Sequence, residues 1–293
     1  MNDVNRRSFL QGSLSSAACP LRLAAEAGAA PLAGAARIID VHVYASRWPF
    51  RRIRGDGTPE LVAMLRQQGV AQAWAGTFDG LLHKDMSGAN VRLARECEDH
   101  GKGFLLPFGA LNPKLPDWEE DLRRCQEQFH MPGIRLHPNY HNYTLGDPDF
   151  GRLLRAAAGR GLMVQIAAWM EDERTQNPLV QAPMVDLSPL PAWLESVPTA
   201  RLMVLNGFIS VNRMDRLLLP FKKFDQVAFD FAKLEGLAHL SAMVALLGVE
   251  RVVFGSYSPM FYFESAALKI REAALTTAQT DALLAGNARR LLA

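Results

Sequence analysis

The sequence predicts an α/β fold, a single (β/α)8 barrel preceded by an export signal. Three observations carry the barrel: eight short runs rich in Val, Ile, Leu and aromatic residues, stretches of helical spacing between them, and a span of about 255 residues for the eight repeats. A doubly wound open sheet more often has roughly five to seven strands. No GxGxxG or GxxxxGK[ST] string follows any of the runs, which also weighs against a nucleotide-binding sheet.

The expected strands occupy residues 38 to 43, 70 to 75, 104 to 111, 133 to 137, 162 to 168, 201 to 206, 226 to 231 and 251 to 255. Thr58-Pro59, ahead of the second strand, marks a helix start: a side-chain oxygen can satisfy orphan amides, and proline fits the first helical position. Asp147-Pro148 and Ser188-Pro189 repeat that signal ahead of the fifth and sixth strands. Phe150, Leu153, Leu154 and Ala157 recur at helical spacing, as do Phe263, Ala266, Ala267 and Ile270, so each of these helices is expected to bury one face.

With 49% apolar, 21% charged and 9% aromatic residues the chain reads as globular, which excludes collagen, coiled coil and wholesale disorder. A formal charge of +2 leaves no basic excess to neutralise phosphates, so nucleic acid is not an expected partner. Cys19, Cys97 and Cys125 have neither CxxC nor Cys/His spacing and suggest no disulfide framework and no structural zinc site. A homo-oligomer is left open.

Residues 1–36 read as an address. Asn5-Arg6-Arg7-Ser8-Phe9-Leu10-Gln11 is followed by small, mildly apolar residues to Ala18 and by Ala/Gly-rich sequence to Ala36. The stretch resembles a bacterial twin-arginine export signal, implying a periplasmic mature chain of residues 37–293. The plainer reading is an arginine pair on a surface tail. Arg22 and Glu26 interrupt the apolar run, so no stable membrane span is expected.

Five motifs then fall in order: IIDVHVY at 38–44 on the first strand, GIRLHPNYH at 133–141 on the fourth, VQIAAWMEDERTQ at 164–176 on the fifth, FGSYSP at 254–259 on the eighth, and the terminal GNARRL at 286–291. Together they resemble the amidohydrolase superfamily, in its amidohydrolase-related TIM-barrel branch, which includes decarboxylases and lactonases. The likeness runs from residue 38 to 293. FDGLLHKD at 78–85, with His83, is similar to a further loop motif of that branch.

The resemblance implies a metal held by histidines of the first, fifth and often sixth strands and an aspartate of the eighth. At those positions this sequence has His42, Tyr44, Ala167, Asn206 and Tyr257. One ligand survives where a catalytic zinc ordinarily has three, so no tightly bound metal is expected. His42 alone remains for a divalent ion at low occupancy.

Chemistry without a metal is still open to the polar residues at the strand ends. His42, Arg135, His137 and His141 are the candidate catalytic residues, because a guanidinium can clamp a carboxylate and an imidazole can serve as general base. Tyr44, Tyr140, Trp169, Asp172, Arg174 and Tyr257 are expected to bind substrate. Each has a plainer reading: His42 as a hydrogen-bonded core histidine, Arg135 as a structural ion pair, the Glu171-to-Arg174 run as a solvated loop, and Phe261, Tyr262 and Phe263 as packing.

Two functions compete. One is an exported hydrolase acting on a small carboxylate, a lactone or a similar acyl compound, with His137 or His42 as base and Arg135 as anion anchor. The other is a catalytically silent TIM-barrel pseudoenzyme that binds a small carboxylate or a protein partner.

Overall fold

The computed structural model describes residues 38–207 and 214–293. The expected export segment, with Arg6, Arg7 and the boundary after residue 36, lies outside the described residues. Every expected strand run contains strand: β1 (Ile38–Ala45), β2 (Val70–Thr77), β3 (Leu105–Pro107), β4 (Gly109–Ala110), β5 (Gly133–Leu136), β6 (Met163–Ala167), β7 (Arg201–Leu205), β8 (Val227–Asp230) and β9 (Val252–Val253). The run expected at 104 to 111 is divided at Phe108 into β3 and β4. Pairing is parallel throughout, in a three-stranded sheet β1-β2-β3 and a six-stranded sheet β4-β5-β6-β7-β8-β9. Backbone bonds from Val41 N to Phe254 O, Tyr257 N to His42 O and Tyr44 N to Ser258 O tie β1 to the segment after β9.

Helices α1 (Thr58–Gln67), α2 (Met86–Gly101), α3 (Trp118–Glu127), α4 (Pro148–Gly159), α5 (Leu190–Ser196), α6 (Met214–Leu218), α7 (His239–Leu247) and α8 (Phe263–Glu272) separate or follow the strands, and the short α9 (Thr277–Asp281) and α10 (Asn287–Leu292) close the chain. The helical spacings fall on the buried faces: Phe150, Leu153, Leu154 and Ala157 of α4, and Phe263, Ala266, Ala267 and Ile270 of α8. No described helix is long and apolar enough to cross a membrane.

The helix starts are where Thr58, Asp147 and Ser188 place them to within two residues, but the expected side-chain caps are absent. Gly57 caps α1, the Asp147 carboxylate accepts from Thr144 N and pairs with Lys114, and the Ser188 hydroxyl donates to Asp186. Proline at the first turn is enough to start these helices, because it removes one orphan N–H and fixes φ.

The pairing of β1 with β2 slips between Asp40 and Val43. Ile39 before the slip and Val41 within it pack with Trp74, Phe108, Met163 and Met203; after it, Tyr44 packs with Phe78, Ala167 and Tyr257, while Val43 joins the cluster that also holds the helix-borne Leu61 and Leu65. Such irregularities re-aim side chains. Here Tyr44, beyond the slip, lies beside His42, with ring centroids 5.6 Å apart.

Candidate functional site

At the carboxyl end of β1, His42 Nδ1 lies 2.6 Å from Asp230 Oδ2 at the end of β8, and both residues are wholly buried. Asp230 Oδ1 accepts from Asn206 N at 2.7 Å. With Asp230 accepting from Nδ1–H, the lone pair sits on Nε2, which has no hydrogen-bond partner among the described residues. Burial lowers the His42 pKa against the opposing pull of Asp230, favouring the neutral ring.

Asp40 flanks this pair. Its Oδ1 accepts from His42 N and Ser256 N, and Oδ2 has no partner among the described residues. Burial pushes its pKa up to about 7, so it holds its proton far above the usual carboxyl range.

Tyr44 OH and His137 Nε2 are 2.9 Å apart, and burial pushes the Tyr44 phenol up to about 12. His137 Nδ1 is unpartnered among the described residues, and burial drives its pKa well down. His141 Nε2 is bonded to Gly80 O at 2.7 Å, its ring 6.0 Å from that of His137, and burial lowers its pKa too. Tyr257 stacks on His42 at 4.6 Å, and its hydroxyl donates to Met170 O. Its φ of 59° is the left-handed conformation that a bulky side chain rarely adopts, at a strain of about 1–3 kcal/mol held in place by these contacts.

Arg135 corrects the sequence expectation. Its side chain reaches from β5 to carbonyls of β1 and β2: Nη1 donates to Val43 O, Nη2 to Val41 O and Trp74 O, and Nε to Gln165 Oε1. The guanidinium also lies 4.7 Å from the centroid of the Tyr44 ring. With four of its five N–H groups taken and no exposed surface, it is placed as a brace of the interior rather than a clamp for a substrate carboxylate, and no acidic partner is hydrogen-bonded to it among the described residues. Asp172 and Arg174 are a second correction. They pair with each other at 2.7 Å in an exposed turn, because the backbone brings them together two residues apart. His83 is exposed and outside the cluster.

Of the other candidates, Tyr140 is half-buried and Trp169 is buried, its ring face taken by Lys233 Nζ at 2.9 Å. The sequence reading missed Asp40, Asp230 and Lys233. Asp230 stands at the end of an expected strand and Asp40 two residues before His42, so strand-end position was the available signal.

The implied metal does not fit these donors. Ala167 offers none, the Tyr257 hydroxyl is turned to a backbone carbonyl, and the Tyr44 phenol is held neutral beside His137. Among the described residues no group of three or more His, Cys, Asp or Glu side chains could hold an ion.

A parallel β/α chain with polar side chains gathered at the carboxyl ends of its strands has the layout of the barrel enzymes, whose reaction face lies there. The amidohydrolase family model matches residues 39–192, just over half of the sequence, and the chain belongs to that family. No curated protein matches it. Among solved structures it is similar to 5-carboxyvanillate decarboxylase from Sphingomonas paucimobilis, at 15% identity and a TM-score of 0.69 over 87% of this chain and 98% of that one. It is also similar to 2,6-dihydroxybenzoate decarboxylase from Rhizobium, at 11% identity and a TM-score of 0.65 over 87% and 98%. A third is the manganese-bound 5-carboxyvanillate decarboxylase from Novosphingobium aromaticivorans, at 12% identity and a TM-score of 0.65 over 88% and 96%. At these identities the likeness carries the fold.

Proposed function

We propose that the chain is an acid–base enzyme of the amidohydrolase family that acts on a small carboxylate, a lactone or a similar acyl compound without a tightly bound metal. The observation that carries this reading is the 2.6 Å contact of Asp230 with His42, which leaves Nε2 of a neutral imidazole as a base. Asp230 holds the tautomer, His42 takes the proton of the attacking water, and Asp40, whose pKa burial raises to about 7, is the acid beside it. The small-carboxylate class is supported by the structural neighbours, which are decarboxylases of aromatic carboxylates by name. The two sheets are read as one closed eight-stranded barrel, β3 and β4 counting as one strand, supported by the bonds that tie β1 to the segment after β9. Residues 1–36 are proposed as an export signal that delivers the mature chain to the periplasm.

One observation favours the second reading, a catalytically silent barrel. His42, Tyr44, His137 and Tyr257 are at most 1% exposed, with the two tyrosines standing where the family's ligands are expected. Tyr257 lies stacked on His42, so access of a substrate to that ring calls for the Tyr257 side chain to move. The deciding experiment is a turnover screen of lactones and aromatic carboxylates on the purified protein, with His42→Gln as control. Turnover that falls about 10² to 10⁴ fold in the variant supports the base role. Ligand binding with no turnover in the parent protein selects the silent barrel.

A further inference from the structure

Outside the His42 centre, beyond the carboxyl ends of β8 and β9, lies a cleft of about 670 Å³ whose walls include Lys233, Glu235, Phe261, Leu268, Lys269 and Glu272. Lys233 is only 7% exposed. Its Nζ rests 2.9 Å from the centroid of the Trp169 ring and 5.9 Å from that of Phe261, with no oxygen acceptor for it among the described residues. The side chain is packed away while its ammonium faces the cleft on aromatic surface, without the carboxylate or carbonyl that lysines in such packed surroundings ordinarily find. Its neighbour Lys269 has one, donating to Ala232 O at 2.6 Å. A wall of aromatic contacts, Tyr257 to Phe261 at 5.2 Å and Trp169 to Phe261 at 6.3 Å, separates the cleft from His42.

We propose that Lys233 is a covalent carbonyl site, whose amine condenses reversibly with a small oxo acid seated in this cleft. The nitrogen attacks the carbonyl carbon and forms the C–N bond as the carbonyl electron pair moves to oxygen. That oxygen then leaves as water, the nitrogen gives up its protons, and an imine remains, with no change of oxidation state. Glu235 and Glu272 are the carboxylates on the cleft walls that can pass these protons. Lys269 supplies a second positive charge for the acid's carboxylate, and Phe261 and Leu268 give apolar surface to its carbon chain.

The amine is suited to the attack. Burial lowers the Lys233 pKa to about 8, with Arg174 and Lys269 pulling the same way and Glu235 and Asp172 opposing. At neutral pH roughly a tenth of it is then the free base, against less than about 0.1% for an ordinary lysine. Low-basicity, desolvated lysines are the ones that form imines.

The site stands whether or not His42 turns a substrate over, and it is tested without a turnover assay. The folded protein is incubated with glyoxylate and sodium cyanoborohydride, and the reduced adducts are mapped by peptide mass spectrometry. The expected result is saturable labelling of Lys233, at least about ten-fold faster than that of exposed Lys84 in the same chain, with a rate that rises to a plateau near pH 8. Lys233→Met should remove that fast, saturable component. Labelling of Lys233 no faster than Lys84, or linear in glyoxylate without saturation, overturns the proposal, and the comparison within one chain holds even if the variant does not fold.

Discussion

Asp230 and His42 lie 188 residues apart in the chain and 2.6 Å apart in the fold, with no solvent reaching either. Asp230→Ala removes the acceptor of both His42 Nδ1–H and Asn206 N–H. Leaving a buried donor unpaired costs about 1–3 kcal/mol, so the loss should be about 3 kcal/mol or more by urea denaturation, and smaller for Asp230→Asn, which keeps one acceptor. A loss under about 0.5 kcal/mol for the alanine variant would show that the pair is not formed.

Asp40 should make stability fall as pH rises. The unfolded carboxyl releases its proton near pH 4, whereas the folded one keeps it to about pH 7, so the folded state binds more protons across that window. His42, His137 and His141 act in the opposite sense, their lowered pKa values weakening the fold as pH drops below about 6.5. Asp40→Asn isolates the first effect. The stability of the variant relative to the parent should grow between pH 4 and 7 by up to about 1.4 kcal/mol per unit, and a flat difference refutes the assignment.

Arg135 is expected to be a stability residue. Arg135→Met removes the side-chain donor from the carbonyls of Val43 and Trp74 and from Gln165 Oε1, while Val41 O keeps Gln165 Nε2, and should cost about 2 kcal/mol or more. Gly76→Ala probes the same group from outside, because a Cβ there would lie 2.7 Å from Arg135 Cδ and Nη1 and must displace them. Parent-like melting of both variants would return Arg135 to the list of ligand-binding candidates.

Elemental analysis of the purified protein should give well under one zinc, iron or manganese per chain. Chelator treatment should leave the melting temperature unchanged, since only an ion bound to the folded state stabilises it. Near-stoichiometric metal, removed together with stability, would mean that donors other than those at the family positions had been recruited.

Export is checked with Arg6→Lys and Arg7→Lys combined. The double variant should stay in the cytoplasm with residues 1–36 uncleaved, because the receptor reads the arginine pair. Normal secretion of that variant counts against a twin-arginine signal.

The strand runs were legible because both faces of a parallel sheet are buried, so each strand shows as a short apolar block such as IIDV or RLMVL that local composition reveals. The faces of α4 and α8 were legible for the same reason, through the 3.6-residue period. The fate of each polar side chain was not. Arg135, in the sequence, is a cation two residues from a histidine, and that neighbourhood suits a ligand clamp as well as an internal brace. The three carbonyls that accept its hydrogen bonds belong to β1 and β2, and no local pattern announces them.

By itself, then, the sequence determined the alternation of strand and helix, the family resemblance and the replacement of four expected ligands by Tyr44, Ala167, Asn206 and Tyr257. The tertiary structure decided that Asp230 orients His42, that burial raises the Asp40 pKa to about 7, that Asp172 and Arg174 pair with each other, and that Lys233 rests on Trp169 beside an open cleft. The physical reason is range. Secondary structure follows from periodicities of a few residues, whereas protonation and hydrogen-bond partnership depend on desolvation and on charges that only the folded chain brings within a few ångströms.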